Sequence, residues 1–469
     1  MKPRRYAPIL FGLLLAGLWA EASRSGAPTP ILVAGPSLEK AGGPGSAGSA
    51  LGPAPKGEGA GGSGSSSENL IVRAHTPQFG SSGRRFQGKS LRAKPATAGR
   101  QGRPSQPGNP LPGITADEFE LFRIGLDDFL EVEDAGEGLG PAFNGLGCAQ
   151  CHSVPAIGGI SPVAGTRAGR IEEDGTFTVL GGDTLYHLFA LPNQECQPRI
   201  PPEANVVARR VPIPLFGAGL VEAIPDSTLL ALEDPEDLDG DGISGRAARV
   251  IDVASGQARV GRFGWKAQHA TLLAFSGDAY RNEMGITNDL FRTEAGAGID
   301  PETLALCDLV PDPEDSVEPL TGLRGIDAFE AFMRFLAPID RGPVGGLEAR
   351  GAMVFREVGC HKCHAPVLMT GASSNPVFDR RPVRLYSDLL LHDVGTGDGI
   401  EQADAAMNEI RTPALWGLRF RRPLLHDGSA ATPAQAIERH ANEAAGVIEL
   451  YKLLSEQERL ALLNFLDSL

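Results

Sequence analysis

Apolar residues recur at helical spacing in several stretches, and capping residues stand where those stretches begin. Phe119, Phe122, Ile124, Leu126, Phe129 and Leu130 give one apolar face. Thr115-Ala116-Asp117-Glu118 just before it has the form of a capping box, so folded structure is expected to begin near Thr115. The span Leu347 to Val358 predicts a second helix, with Leu347, Val354, Phe355 and Val358 on one side. The chain ends on a third. Ser455-Glu456-Gln457-Glu458 is again a capping box, and Leu460, Leu463, Phe465, Leu466 and Leu469 form the stripe. Gly351 has no Cβ and is the expected point of close approach between these last two helices. Between them, Thr432-Pro433-Ala434-Gln435 starts a helix with Thr as N-cap and Pro at N1. His440 then falls two turns in, on the face of Ala436. A short helix is expected from Asp226 to near Glu233, and the alternation from Thr176 to Leu180 predicts a short strand. Residues 201–335 otherwise mix their signals and are read as a long loop-rich insertion.

The first 110 residues follow other rules. Lys2, Arg4 and Arg5 precede an apolar run from Ile9 to Trp19, and Ala20-Glu21-Ala22 offers a cleavage site, the arrangement of an export signal. The run is too short for a comfortable membrane span of ~20 residues, so no span is expected once residues 1–22 are removed. Residues 23–110 are rich in Gly, Ser, Pro and Ala, and cannot bury enough apolar surface to offset chain entropy. Eight Lys or Arg and no acid stand between Arg73 and Arg103. The segment is read as a disordered basic tether. Charge sharpens this division. Of the net −15, residues 1–22 carry +2 and 23–110 carry +8, which leaves −25 for 111–469. A body so acidic disfavours nucleic acid and favours a basic partner or a small neutral substrate.

Four of the six cysteines belong to two copies of one motif: Cys148-Ala149-Gln150-Cys151-His152, and, 212 positions on, Cys360-His361-Lys362-Cys363-His364. Two thiols on one turn can each add across a vinyl group of a haem, and the following His can bind the iron. A zinc site would need further ligands at short spacing, and a redox dithiol needs no following His. Two covalent c-type haems are therefore expected, which agrees with export, to the periplasm or beyond. The chain is read as mainly α, with two cytochrome c-like haem domains, 111–338 and 339–469. Cys196 and Cys307 are free to pair in an oxidising compartment, a matter of geometry that spacing leaves open. Asp237, Asp239 and Asp241, followed by Gly242, match the front half of a calcium loop. Ala248 stands where an EF-hand places its bidentate Glu, so a calcium loop of another type and a bare Asp/Gly turn both remain open.

Together these landmarks resemble the bacterial di-haem cytochrome c peroxidase superfamily, and within it the di-haem oxidoreductase branch. The stretches that carry the likeness are Gly140 to Asn144, Asp237 to Arg246, Gly261 to Lys266, Glu283 to Thr287, Tyr386 to Gly395 and Thr412 to Gly428. The resemblance implies that the haem on Cys148, Cys151 and His152 meets the oxidant, peroxide or dioxygen. The haem on Cys360, Cys363 and His364 would then store electrons from a small redox protein. It implies Glu283 as the catalytic acid–base and Trp265 as the aromatic relay between the haems. Family members place an axial Met where this chain has His440, so His364 and His440 are expected to ligate the second iron together and to lower its potential. No His lies between His152 and His187, so the first iron is expected to be open, or held by His187, His269 or water. His392 and His426 fall to structural or propionate-binding roles. A non-enzymatic di-haem electron carrier, and a dioxygen-using oxygenase of the same superfamily, share the fold and stand as alternatives, because function lies in the site.

Overall fold

The computed structural model describes residues 106–192 and 196–469. The signal-like segment and nearly all of the basic tether lie outside the described residues. Of those described, 30 % are helical and 13 % lie in strands. Among them no helix is long and apolar enough to cross a membrane. In chain order the main elements are α1 (Ala116–Phe129), β1 (Gly165–Ile171), β2 (Phe177–Thr178), β3 (Leu185–Tyr186), β4 (Val206–Arg210), α2 (Leu272–Met284), α3 (Gly325–Phe335), α4 (Gly346–Val358), α5 (Pro433–Glu438), α6 (Ala445–Leu453) and α7 (Glu456–Asp467).

The first core is built by α1, α2 and α3. The capping box at Thr115 forms: its Oγ1 accepts from the Glu118 N–H at 3.2 Å, and the Glu118 carboxylate accepts from the Thr115 N–H at 2.6 Å. The buried stripe of α1 is narrower than its apolar pattern, because Phe119 and Leu130 remain 40 % and 46 % exposed. Phe122, Gly125 and Phe129 face inward. The rings of Phe122 and Phe129 meet Phe332 of α3 at 5.3 and 4.8 Å. Gly125 allows that approach, since a Cβ there would stand 2.0 Å from the Ala328 carbonyl. Residues 201–335 thus supply two of the three helices of this core, more than a loop-rich insertion would. The helix from Asp226 ends at Leu230, short of its expected end. Glu233 is drawn away by Arg249 at 2.6 Å and the Ala247 N–H at 3.0 Å.

A small antiparallel sheet lies between the first haem motif and α2 in the chain. β1 runs against β4 from Gly165↔Arg210 to Gly169↔Val206, and β2 and β3 pair with opposite ends of β1. The strand expected over 176–180 is β2. Cys196 and Cys307 form a disulfide, their Cα atoms 6.3 Å apart.

The second core joins α4, α6 and α7 through Val354, Phe355, Val358, Tyr451, Leu462, Phe465 and Leu466. Gly351 meets α7 as expected, because a Cβ would lie 2.0 Å from the Ala461 carbonyl. The Phe355 and Phe465 rings close beside it at 5.2 Å. Thr432 caps α5, its Oγ1 accepting from Gln435 at 3.2 Å. The helix stops at Glu438, so His440 lies beyond its end rather than two turns inside it. The next residues are pulled aside: Ala441 donates to the Val394 carbonyl at 2.8 Å, and Glu443 to that of Asp393 at 3.1 Å.

Gly351→Ala should cost about 1–3 kcal/mol of stability, the usual penalty for overpacking. Gly446→Ala, in α6 where an added Cβ meets nothing within 4 Å, should instead add about 0.5–1 kcal/mol. Chemical denaturation of the two variants checks both signs.

Candidate di-haem site

Each Cys-x-x-Cys-His motif forms a tight turn on the wall of a cavity. Cys148–Cys151 is a single helical turn, and Gly147 before it lets the backbone pass the Glu131 carbonyl, which a Cβ would approach to 2.2 Å. The His152 Nδ1 lies 2.9 Å from the Gly159 carbonyl. A carbonyl can only accept, so Nδ1 carries the proton and Nε2 keeps its lone pair. Burial lowers His152 to about 4, so the ring is neutral. The second motif repeats this arrangement. The His364 Nδ1 faces the Tyr386 carbonyl at 3.1 Å. Burial first, and then the nearby His440, lower His364 to about 4. The His440 Nδ1 in turn faces the Ala436 carbonyl at 2.8 Å. Such backbone contacts orient metal-binding imidazoles.

The first cavity has about 1310 Å³ of non-atom space, mouth included, and is lined by Cys148, Cys151, His152, Asn144, Trp265 and Glu283 among others. The second, also about 1310 Å³, is lined by Cys360, Cys363, His364, His392 and His440, and again by Trp265. The indole thus borders both. Its Nε1 donates to the Val211 carbonyl at 2.8 Å, the Arg421 guanidinium lies over its ring at 5.3 Å, and His426 meets it edge-on at 6.1 Å. The Asn144 Nδ2 donates to the Glu283 Oε2 at 2.7 Å. Burial raises the Glu283 pKa, against the pull of Asn144 and of Arg167.

These surroundings fit haem. The four motif thiols remain unpaired, while the other two cysteines are bonded to each other. Burial pushes Cys148 up to about 12, Cys151 up to about 11 and Cys360 up to about 12. Buried neutral thiols are in the form that adds across a vinyl group. Buried guanidinium groups with an unsatisfied N–H also line the cavities. Arg421 in the second has no acceptor on Nε, and Arg210 in the first has none on Nη2. Burial lowers Arg421 and Arg411 to about 10. Haem propionates would supply the missing negative charge, and sequence reading passed over all of these arginines. Arg210 and Arg421 each stand beside a second Arg, the pattern of a solvated face, so no local signal marked them.

The two cavities differ in their second imidazole. His440 lines the second with His364. Neither His187 nor His269 lines the first: the His187 Nε2 is tied to the Asn282 carbonyl at 2.8 Å, and His269 pairs with Asp278 at 2.9 Å. The buried thioethers of Met284 and Met333 do line it. His392 stands between Asp388 at 2.9 Å and Glu443 at 2.7 Å. Burial opposes its charge, yet the two carboxylates raise its pKa well above the usual value. The candidate calcium loop is arranged differently from its sequence pattern. Ligand atoms of Asp234, Asp237 and Asp239 gather within 4.8 Å of one another. Asp241 turns instead to the Lys362 Nζ at 2.6 Å, inside the second motif.

The family model described as "Di-haem oxidoreductase, putative peroxidase" matches residues 193–469. No curated protein matches. Among solved structures, hydrazine synthase of Kuenenia stuttgartiensis is 17 % identical, covering 81 % of this chain and 100 % of its own, with a TM-score of 0.36. A MauG-like protein associated with microbial copper homeostasis is 20 % identical over 60 % of this chain and 94 % of its own, TM-score 0.29. A variant of the di-haem peroxidase BthA from Burkholderia thailandensis is 14 % identical over 74 % and 85 %, TM-score 0.37.

His440→Ala should alter one low-spin signal in the EPR spectrum of the holoprotein and leave the other centre unchanged. Two unaltered signals would separate His440 from the second iron.

Proposed function

The chain belongs to the di-haem oxidoreductase family, and from that premise we propose that it is an exported, peroxidase-like enzyme. It reduces peroxide at the Cys148–His152 site with electrons held at the Cys360–His364 site. The observation that carries this reading is the position of Trp265, which walls both cavities. The disulfide between Cys196 and Cys307 supports an oxidising compartment.

Bound haem supplies a redox-active iron at each site. The polypeptide does the rest. Cys148, Cys151, Cys360 and Cys363 attach the cofactors, and His152, His364 and His440 each present a lone pair on Nε2. At the second site His364 and His440 would both be available to hold the iron, which would suit electron storage rather than reaction with an oxidant. At the first site no second imidazole lines the cavity. There the Glu283 Oε2 is held by Asn144, which leaves Oε1 to take a proton from peroxide and return it to the departing oxygen. The raised pKa of Glu283 brings it nearer the range in which one group can do both. Trp265, buried and fixed through Nε1, is the aromatic that an electron meets between the two sites.

Holoprotein reduced at both centres should be reoxidised by one equivalent of hydrogen peroxide, followed in the visible spectrum. Centres that ignore peroxide would make the protein an electron carrier instead. Asn144→Ala removes a donor that favours ionised Glu283, so the pKa rises further. The fall of peroxide consumption on the acid side should then begin at higher pH. The shift should be roughly one pH unit, the equivalent of about 1.4 kcal/mol for one hydrogen bond to a charged group. Glu283→Gln should remove that limb and most of the rate.

A further inference from the structure

A third concavity takes no part in the chemistry above. It holds about 990 Å³ of non-atom space, mouth included, and shares Thr396, Leu425 and His426 with the second cavity. Arg209 of β4 lines it, as does Arg439 just past α5. Both arginines are exposed, and neither guanidinium has a partner among the described residues. Two carboxylates also line the cleft, but both are engaged. Asp398 is held by Arg210 at 2.6 Å and Lys266 at 3.3 Å, and Asp427 accepts from the Ser429 N–H at 2.9 Å. With Arg210 and Lys266 counted behind the wall, four cations face the two carboxylates, a surplus of two.

The segment Gly395-Thr396-Gly397-Asp398 forms one wall, and Gly399 follows it. Gly395 and Gly399 have φ of +73° and +77°. Gly397 packs where a Cβ would come within 2.3 Å of the Asn408 backbone. The N–H groups of Thr396 and Gly397 donate to nothing among the described residues. Successive free N–H groups on such a turn make a concavity suited to an anion, and the hydroxyls of Thr396 and Ser429 add donors. Arg411 and Arg421 inside the second cavity would serve haem propionates, which would leave Arg209 and Arg439 for a molecule from outside.

We propose that this cleft binds a small organic anion, bearing a carboxylate, sulfonate or phosphate group, that serves as electron donor. This donor takes the place of the small redox protein expected from sequence, because a recessed polar cleft suits a small molecule better than a protein face. The proposal rests on the peroxidase reading. The route is short: His426 borders the cleft and meets the Trp265 ring at 6.1 Å. Each donor loses one electron inward, and the two protons that peroxide reduction needs come from the donors where they carry an ionisable O–H or N–H, and from solvent where, as in ABTS, they do not. Two donors and one hydrogen peroxide give two waters and two one-electron-oxidised donors, the two protons being taken up where peroxide is reduced.

The test compares a sulfonated donor such as ABTS with a neutral phenol such as guaiacol, each with hydrogen peroxide and the holoprotein. In the double variant R209A/R439A, KM for the sulfonated donor should rise about tenfold or more, as expected on losing two charge-assisted contacts. Its kcat should stay within about twofold, and KM for the phenol should not move. R209K/R439K should recover most of the affinity. Inorganic phosphate should compete with the sulfonated donor in the unaltered protein alone. Equal changes for both donors, or none, overturn the proposal. If no donor is turned over, the peroxidase reading fails separately, and calorimetric titration with inorganic phosphate decides about the cleft. Binding that the double variant loses supports it, and no binding in the unaltered protein, as when the protein's own propionates fill the cleft, overturns it.

Discussion

Asp398 is a buried carboxylate that answers two buried cations, Arg210 at 2.6 Å and Lys266 at 3.3 Å. The three come from distant parts of the chain, and none is exposed enough for water to take a partner's place. Lys266 also donates to the carbonyls of Ala406 and Glu409, at 2.8 and 2.7 Å. At the other end of the same strap Arg262 is fully buried against Asp226 and the carbonyls of Val260 and Ile224. Between these anchors lies Trp265, whose place on both cavity walls follows from them. Removing one member of such a group leaves an unpaired charge in the interior, a loss far larger than any surface ion pair represents. The indole is thus located by electrostatics in a low-dielectric setting and only then by packing.

The two haem cavities share a plan and diverge in what faces them. Each has one turn bearing two thiols and one imidazole whose Nδ1 is committed to a backbone carbonyl. The second adds His440, carried in from beyond α5, and a charged His392 locked between two carboxylates. The room for that ring comes from Gly245, where a Cβ would sit 2.2 Å from it. The first adds a carboxylate, Glu283, and its amide partner, Asn144. One motif used twice therefore yields one cavity lined by a second imidazole at His440 and one lined by a carboxylate with an amide partner, and the difference lies in residues far from either motif.

Much of this was legible in the chain itself. The motifs marked the thiols and imidazoles that line the two cavities, and the capping boxes at Thr115 and Ser455 marked two helix starts to the residue, because caps are local chemistry. Gly351 was legible for the same reason: a lone Gly among apolar positions of a helix invites a neighbour. Gly125 does the same for α1 against α3 and was missed, since six apolar residues around it drew the eye to a wider stripe than the fold buries. Long-range electrostatics was not legible. Nothing near Arg210, Lys266 or Asp398 in sequence says that they meet. The end of α5 was misplaced because strand-like bonds from Val394 and Asp393 outcompete one more helical turn. Asp241 looked like a member of an alternating acidic loop until Lys362 claimed it.

The bond between Cys196 and Cys307 spans 111 positions, and the segment it closes holds both Trp265 and Glu283. In chain-entropy terms, a ring of that size restricts the unfolded polypeptide by about 5 kcal/mol. Reduction would open the ring and release the unfolded chain from that restriction, without touching either cavity directly. The working parts of this protein are therefore insured by a covalent tie that survives only where thiols stay oxidised. Loss of that environment would loosen the hold of the fold on Trp265 and Glu283 together.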